Sequence, residues 1–221
     1  DEKEVEAQHE PGFLEGLKLM LSQKYLLGIF CIIAIYEILG TIIDYNFKAA
    51  VMGAFATTAE RSVYLNDYAV WVNLTSFLCL LFGINNIQRH LGVKVSLALM
   101  PFIIGGMFGL FLMYGDVKVL FWIMVLVKAI NYALNGPTMK QLYVPTTKDV
   151  KYKSQAWIET FGSRGSKASG SGLNIIFDLV GKWFVLLAGV LTLGLGAMWF
   201  FIALYLGKTY KKAVDEKRVV C

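Results

Sequence analysis

Residues 131–174 read NYALNGPTMKQLYVPTTKDVKYKSQAWIETFGSRGSKASGSGLN. The stretch is too polar for an ordinary membrane span, yet strongly apolar segments bracket it on both sides. Projected at ~100° per residue, Lys153, Thr160, Arg164, Lys167, Ser171 and Asp178 fall within about 40° of one line. Phe161, Leu173, Ile176 and Phe177 point elsewhere. Glycine or serine recurs at 162, 166 and 170, a small-residue surface that lets a second helix approach closely. A cationic stripe with a close-packing back suits a water-filled cavity inside a membrane bundle. The pattern predicts an anion-binding helix of a transporter.

Composition sets the class around this helix. The 221 residues are 57% hydrophobic and 17% charged, with mean hydropathy +0.57. Soluble domains run at about 45–50% apolar and 25% charged, and a soluble core would not hide so many ~20-residue apolar runs. The expected fold is an all-α integral membrane bundle with spans at 25–48, 66–88, 93–114, 118–138, 153–180 and 183–207. The fifth is visible only through its periodicity, because its polar stripe must face protein or water. Residues 1–24 are an acidic and then amphipathic lead-in, with Phe13, Leu14, Leu17 and Leu21 at helical spacing. They read as a helix on the membrane surface or as a linker end. Pro137 and Pro145 bracket the longest loop, 139–152, and residues 208–221 are a basic tail, read as a solvated topology signal in preference to a lipid- or RNA-binding segment.

Six spans put both ends of the chain on one side. Of the 21 Lys and Arg, only Arg61, Lys118 and Lys182 fall on the opposite side, and Lys48, Lys128, Arg164 and Lys167 lie within spans. The positive-inside rule therefore predicts cytoplasmic termini. It also accounts for the net charge of +5 as topology, so no nucleic-acid partner is expected. The chain opens Asp-Glu-Lys with no initiator Met or signal peptide, which predicts a piece of a longer polypeptide. Cys31, Cys79 and Cys221 read as free thiols.

Charges at bilayer depth mark candidate sites, since each is costly there. Glu37, Thr41, Asp44 and Lys48 share a face, with Asp44 and Lys48 paired at i,i+4. Glu37 has no local partner. It is expected to meet a cation from another helix, either to hold the bundle together or as a gating or coupling group. Lys128, Asn131, Tyr132 and Asn135 share a second face just before Gly136-Pro137. There Lys128 either snorkels to the interface or adds a third cation to the anion site. Asn131 and Asn135 offer donor and acceptor for a base or ribose, and Tyr132 a stacking surface. Arg164 presents a rigid fork and Lys167 a point charge for phosphate oxygens. The competing role for both is pairing with Glu37, Asp44, Glu159 or Asp178. GSRGSKASGSG lacks the GxxxxGK[ST] order of a phosphate loop, and HExxH, GxSxG and zinc spacings are absent. No catalytic residue, cofactor or metal is expected.

The run Asn135-Gly136-Pro137-Thr138, Leu142-Tyr143-Val144-Pro145-Thr146, Val150-Lys151-Tyr152-Lys153, Trp157-Ile158-Glu159 and Phe161-Gly162-Ser163-Arg164-Gly165-Ser166-Lys167 resembles the ATP/ADP translocase family of obligate intracellular bacteria and plastids. The family pattern is close to NPTxExLYxPT…KxKxKxWIDxFGxRxxK, and Asp44-Tyr45-Asn46-Phe47-Lys48 adds a weaker match. Asp44 stands where ATP/ADP exchangers tend to have Glu, and Gly136 is inserted between Asn135 and Pro137. The resemblance implies a major-facilitator-like architecture of two six-helix bundles, with this chain as the C-terminal bundle and an N-terminal half as its partner. It also implies ATP and ADP as substrates of an antiporter, Arg164, Lys167 and Lys128 on phosphate, and Glu37, Asp44 and Lys48 in gating. Proton-coupled import of another nucleotide or NAD, with Glu37 as proton site, is the alternative within the class. A non-transporting scaffold of the same fold is the alternative outside it. The expected location is a bacterial inner membrane rather than a plastid envelope.

Overall fold

The computed structural model describes residues 13–82, 84–114, 116–180 and 184–221, and these form helices and no strand. In chain order they are α1 (Phe13–Ser22), α2 (Lys24–Ala54), α3 (Thr58–Phe82), α4 (Ile84–Met113), α5 (Val117–Ile130), α6 (Gly136–Gln141), α7 (Lys148–Trp157), α8 (Ser163–Val180) and α9 (Phe184–Asp215). Five-residue π turns at Asn131–Asn135 and Ile158–Gly162 weld α5 to α6 and α7 to α8. Four stretches are long and apolar enough to cross a membrane: Lys24–Ala54, Gly92–Phe111, Val117–Gln141 and Leu187–Asp215. The chain is thus an all-α membrane protein. α3 and the α7–α8 rod supply two further long helical runs, and the second of these is the polar one that periodicity alone revealed.

α2 is the mast of the bundle. Its first half packs Leu26, Ile29, Ile32 and Leu39 against Leu97 and Met100 of α4, Leu142, and Trp199 and Leu206 of α9. Its second half packs Ile42, Ile43, Phe47 and Val51 against Val72 of α3, Phe108 of α4, and Leu120 and Met124 of α5. Lipid tails are as apolar as these side chains, so the seams are held by close packing and hydrogen bonds rather than by removal from water. Two long-range bonds are of this kind: Tyr25 Oη donates to the Leu142 carbonyl and Tyr64 Oη to the Val117 carbonyl, each at 2.8 Å.

Several boundaries differ from those expected, each for a local reason. α3 starts at Thr58 and ends at Phe82 rather than spanning 66–88. A capping box launches it: the Glu60 amide donates to Thr57 Oγ1 and the Thr57 amide to Glu60 Oε2, both at 3.2 Å. Thr57→Ala is expected to remove about 1 kcal/mol of this support, readable as a lowered thermal midpoint of the full-length protein with proteolysis newly exposed near residue 57. The break before the third span falls at Gly92, whose φ of +75° suits glycine. The expected loop 139–152 shrinks to 142–147, because α6 runs on to Gln141 and Thr147 caps α7.

The ends are also more ordered than expected. α9 continues to Asp215, so the tail begins as helix, and its end folds back. The Thr147 amide donates to the Cys221 carbonyl at 2.9 Å and the Val220 amide to the Pro145 carbonyl at 2.8 Å. Burial there pushes the Cys221 thiol above its ordinary pKa. Within the lead-in, α1 docks on α7 through Glu15 Oε1 and Lys153 Nζ, 2.8 Å apart. Residues 1–12 lie outside the described residues.

Candidate functional site

The site grows from one seam, α8 against α2. A Cβ on Gly170 would sit 2.9 Å from Thr41 Cβ and 3.1 Å from the Ile38 carbonyl oxygen, and one on Gly162 2.9 Å from Phe30 Cε2. Ser166, between them, is buried and returns its hydroxyl to the Gly162 carbonyl at 2.8 Å. The small residues at every fourth position are therefore the α2 contact, as expected. Asn174 continues the row, buried, with Nδ2 donating to the Thr41 carbonyl at 3.4 Å.

With the backbones this close, short side chains reach across. Ser163 Oγ donates to Glu37 Oε1 at 2.6 Å, and Lys167 Nζ stands 3.6 Å from Glu37 Oε2. The partner sought for Glu37 is thus on α8, and it is Lys167. The Lys167 side chain stays 56% exposed and the Glu37 side chain 19%. Seven residues further along α2, about 10 Å at 1.5 Å per residue, Asp44 takes Lys48 Nζ at 2.8 Å and Lys128 Nζ of α5 at 3.7 Å. A cleft of about 360 Å³ lies against this pair, lined by Thr41, Asp44, Tyr45, Lys48, Ser171 and Asn174 among others. The two carboxylates and Lys128 are mostly covered, whereas Lys48 and Lys167 stay about half exposed, so these two lysines are open from outside their pairs.

Arg164 stands apart from both pairs. It is exposed on α8, and among the described residues no carboxylate lies within ion-pair range of it. Its competing role as a structural ion pair gains no support there. Glu159 receives Gln155 Nε2 at 2.7 Å instead, and the Asp178 side chain lies outside the described residues.

The face expected to carry Lys128, Asn131, Tyr132 and Asn135 is split. Asn135 Nδ2 donates to Asn131 Oδ1 at 2.9 Å and Asn135 is 6% exposed, whereas Tyr132 is 54% exposed. The physical reason is the π turn, in which the Gly136 amide reaches back five residues to the Asn131 carbonyl. Its wider turn changes the angle per residue from the one an α-helical projection assumes. Sequence reasoning also missed Ser163 and Asn174. Their roles follow from the cross-helix register of α2 and α8, which no local spacing encodes.

A family model described as TLC ATP/ADP transporter matches residues 2–210. ADP,ATP carrier protein 1 of Rickettsia typhi is 24% identical over 243 residues, covering 97% of this chain and 48% of the carrier. ADP,ATP carrier protein 3 of Rickettsia prowazekii is 24% identical over 201 residues, covering 81% of this chain and 40% of the carrier. The chain spans about half the length of the curated relatives it matches. No solved structure matches it.

Proposed function

This chain belongs to the TLC ATP/ADP transporter family, and we propose that it is the C-terminal six-helix half of a nucleotide antiporter that exchanges ATP for ADP by alternating access. The observation that carries the reading is the charged face shared by α2 and α8, where Arg164 is exposed and unpaired among the described residues beside the Glu37–Lys167 pair. Arg164 and Lys167 take the phosphates, with Lys128 as a third cation, and Asn131, Asn135 and Tyr132 serve base and ribose. Arrival of a polyphosphate draws Lys167 from Glu37 and Lys128 from Asp44. Departure lets the internal pairs reform, so Glu37, Asp44 and Lys48 report occupancy to the bundle. A ligand shifts a conformational equilibrium only through such differential contacts. An N-terminal half closes the site, since sites in paired bundles lie at the interface between repeats. The concentration of Lys and Arg on one side of the expected spans supports cytoplasmic termini, and a bacterial inner membrane is the location we propose.

The test is uptake of labelled ATP by cells expressing the full-length protein, followed by a chase with external unlabelled ADP. Rapid efflux of label on the chase is the expected result. Uptake that ignores the chase and dies with an uncoupler would instead point to proton-coupled import, with Glu37 as the candidate proton site. Absence of uptake for every nucleotide would overturn the transport reading.

A further inference from the structure

We propose that the outer seam between α4 and α9, which shares no residue with the charged face of α2 and α8, is a binding site for an anionic phospholipid. The two helices run antiparallel. A Cβ on Gly207 would sit 2.7 Å from Lys94 Cα, and the rings of Phe102 and Phe200 lie 5.0 Å apart further along. At the end near Gly207 the seam opens into a cleft of about 280 Å³ lined by Lys94, Lys208, Lys211 and Lys212 with Asp215 and Glu216. Four ammonium groups outnumber the two carboxylates. Glu216 is moreover already engaged by Arg218 Nε at 2.9 Å and Lys212 Nζ at 4.0 Å. The surplus suits a phosphate.

From Phe201, about 10 Å deeper at 1.5 Å per residue, the same seam opens again into an apolar groove of about 710 Å³. Gly105, Gly106 and Gly109 of α4 and Gly189 and Gly196 of α9 line it, rimmed by the exposed rings of Phe102 and Phe201. A glycine inside a helix costs about 1 kcal/mol against alanine, and in membrane helices small residues normally admit a neighbouring helix. Here a Cβ on any of the five meets nothing within 4 Å. The room they leave holds no part of the described protein. From Phe201 to Gly189 the groove runs about 18 Å, close to one leaflet of a hydrocarbon core roughly 30 Å thick. A docked helix would account for the groove but not for the lysines at its mouth. A lipid with its phosphate on the lysines and an acyl chain along the glycines accounts for both. Basic pockets between spanning helices bind anionic headgroups by the same electrostatics.

The test titrates purified full-length protein in detergent with phosphatidylglycerol, phosphatidylcholine or soluble glycerol phosphate, following the thermal midpoint and the lipid retained in native mass spectrometry. Phosphatidylglycerol is expected to bind at least tenfold more tightly than phosphatidylcholine. K208Q/K211Q should weaken it roughly thirtyfold, at about one lysine's worth of surface attraction each. Gly106→Leu and Gly196→Leu, which fill open space, should weaken it while leaving every lysine in place. Equal binding of the two lipids, an equal effect of glycerol phosphate, or binding unchanged in the leucine variants would each overturn the proposal. A leucine variant that changes only the oligomeric state would assign the groove to a helix instead.

Discussion

Arg164→Ala in the full-length protein is expected to raise the KM for ATP by ten- to a hundredfold while leaving the thermal midpoint where it was. The two halves of that result have separate grounds. Charge-assisted bonds to a phosphate are worth about 1.5–3 kcal/mol, and each 1.4 kcal/mol is a factor of ten. Nothing in the fold depends on the side chain, because Arg164 is exposed and no carboxylate among the described residues pairs with it. Arg164→Lys should recover part of the affinity, since a point charge keeps the attraction and loses the fork. Lys167→Ala should behave differently. Among the described residues it leaves Glu37 with only the Ser163 hydroxyl, so the turnover rate and the resting state change along with the KM. Initial rates of labelled ATP uptake against concentration separate the cases, and an unchanged KM in Arg164→Ala would remove that residue from the substrate path.

Gly170→Leu should fail at an earlier stage, in folding. Its Cβ would press on Thr41 Cβ at 2.9 Å and on the Ile38 carbonyl at 3.1 Å, and the second contact is backbone that cannot swing aside. Overpacking of this kind costs roughly 3 kcal/mol, at the upper end of its range, and here it wedges α8 from α2. Both ion-pair levels depend on the spacing of α2 from its neighbours, so substrate binding should be lost with the fold. Gly172→Ala, two residues away, meets nothing within 4 Å and should be neutral or stabilising by up to about 1 kcal/mol. The contrast is read from the yield of monodisperse protein and its thermal midpoint. Equal behaviour of the two variants would show that the seam tolerates separation.

Periodicity was the informative signal in the polar rod. The stripe of Arg164 and Lys167 and the small row of Gly162, Ser166 and Gly170 were legible because helical spacing alone decides which residues share a face. The Asp44–Lys48 pair was legible for the same reason. Glu37 was legible as a charge needing a partner, but Ser163 was not legible as one of its partners, since cross-helix register depends on how far apart two backbones settle. The early start of α3 at Thr58 was present in the sequence as Thr57-x-x-Glu60, a signal that hydropathy masks. The division of Asn135 from Tyr132 was hidden more deeply, because a π turn breaks the angular rule by which the face was drawn.

That π turn also bears on descent. The resemblance to the family pattern implies one extra residue, Gly136, and it is the Gly136 amide that bonds back to Asn131. One residue added to a plain α-helix would rotate everything after it by about 100°, turning Leu142 and Tyr143 out of the core in which both are buried. A turn that holds an additional residue would absorb such an insertion locally and leave Leu142 and Tyr143 in the core. Relatives lacking the glycine are therefore expected to carry an unbroken α-helix through the same place, and a structure of one would check it.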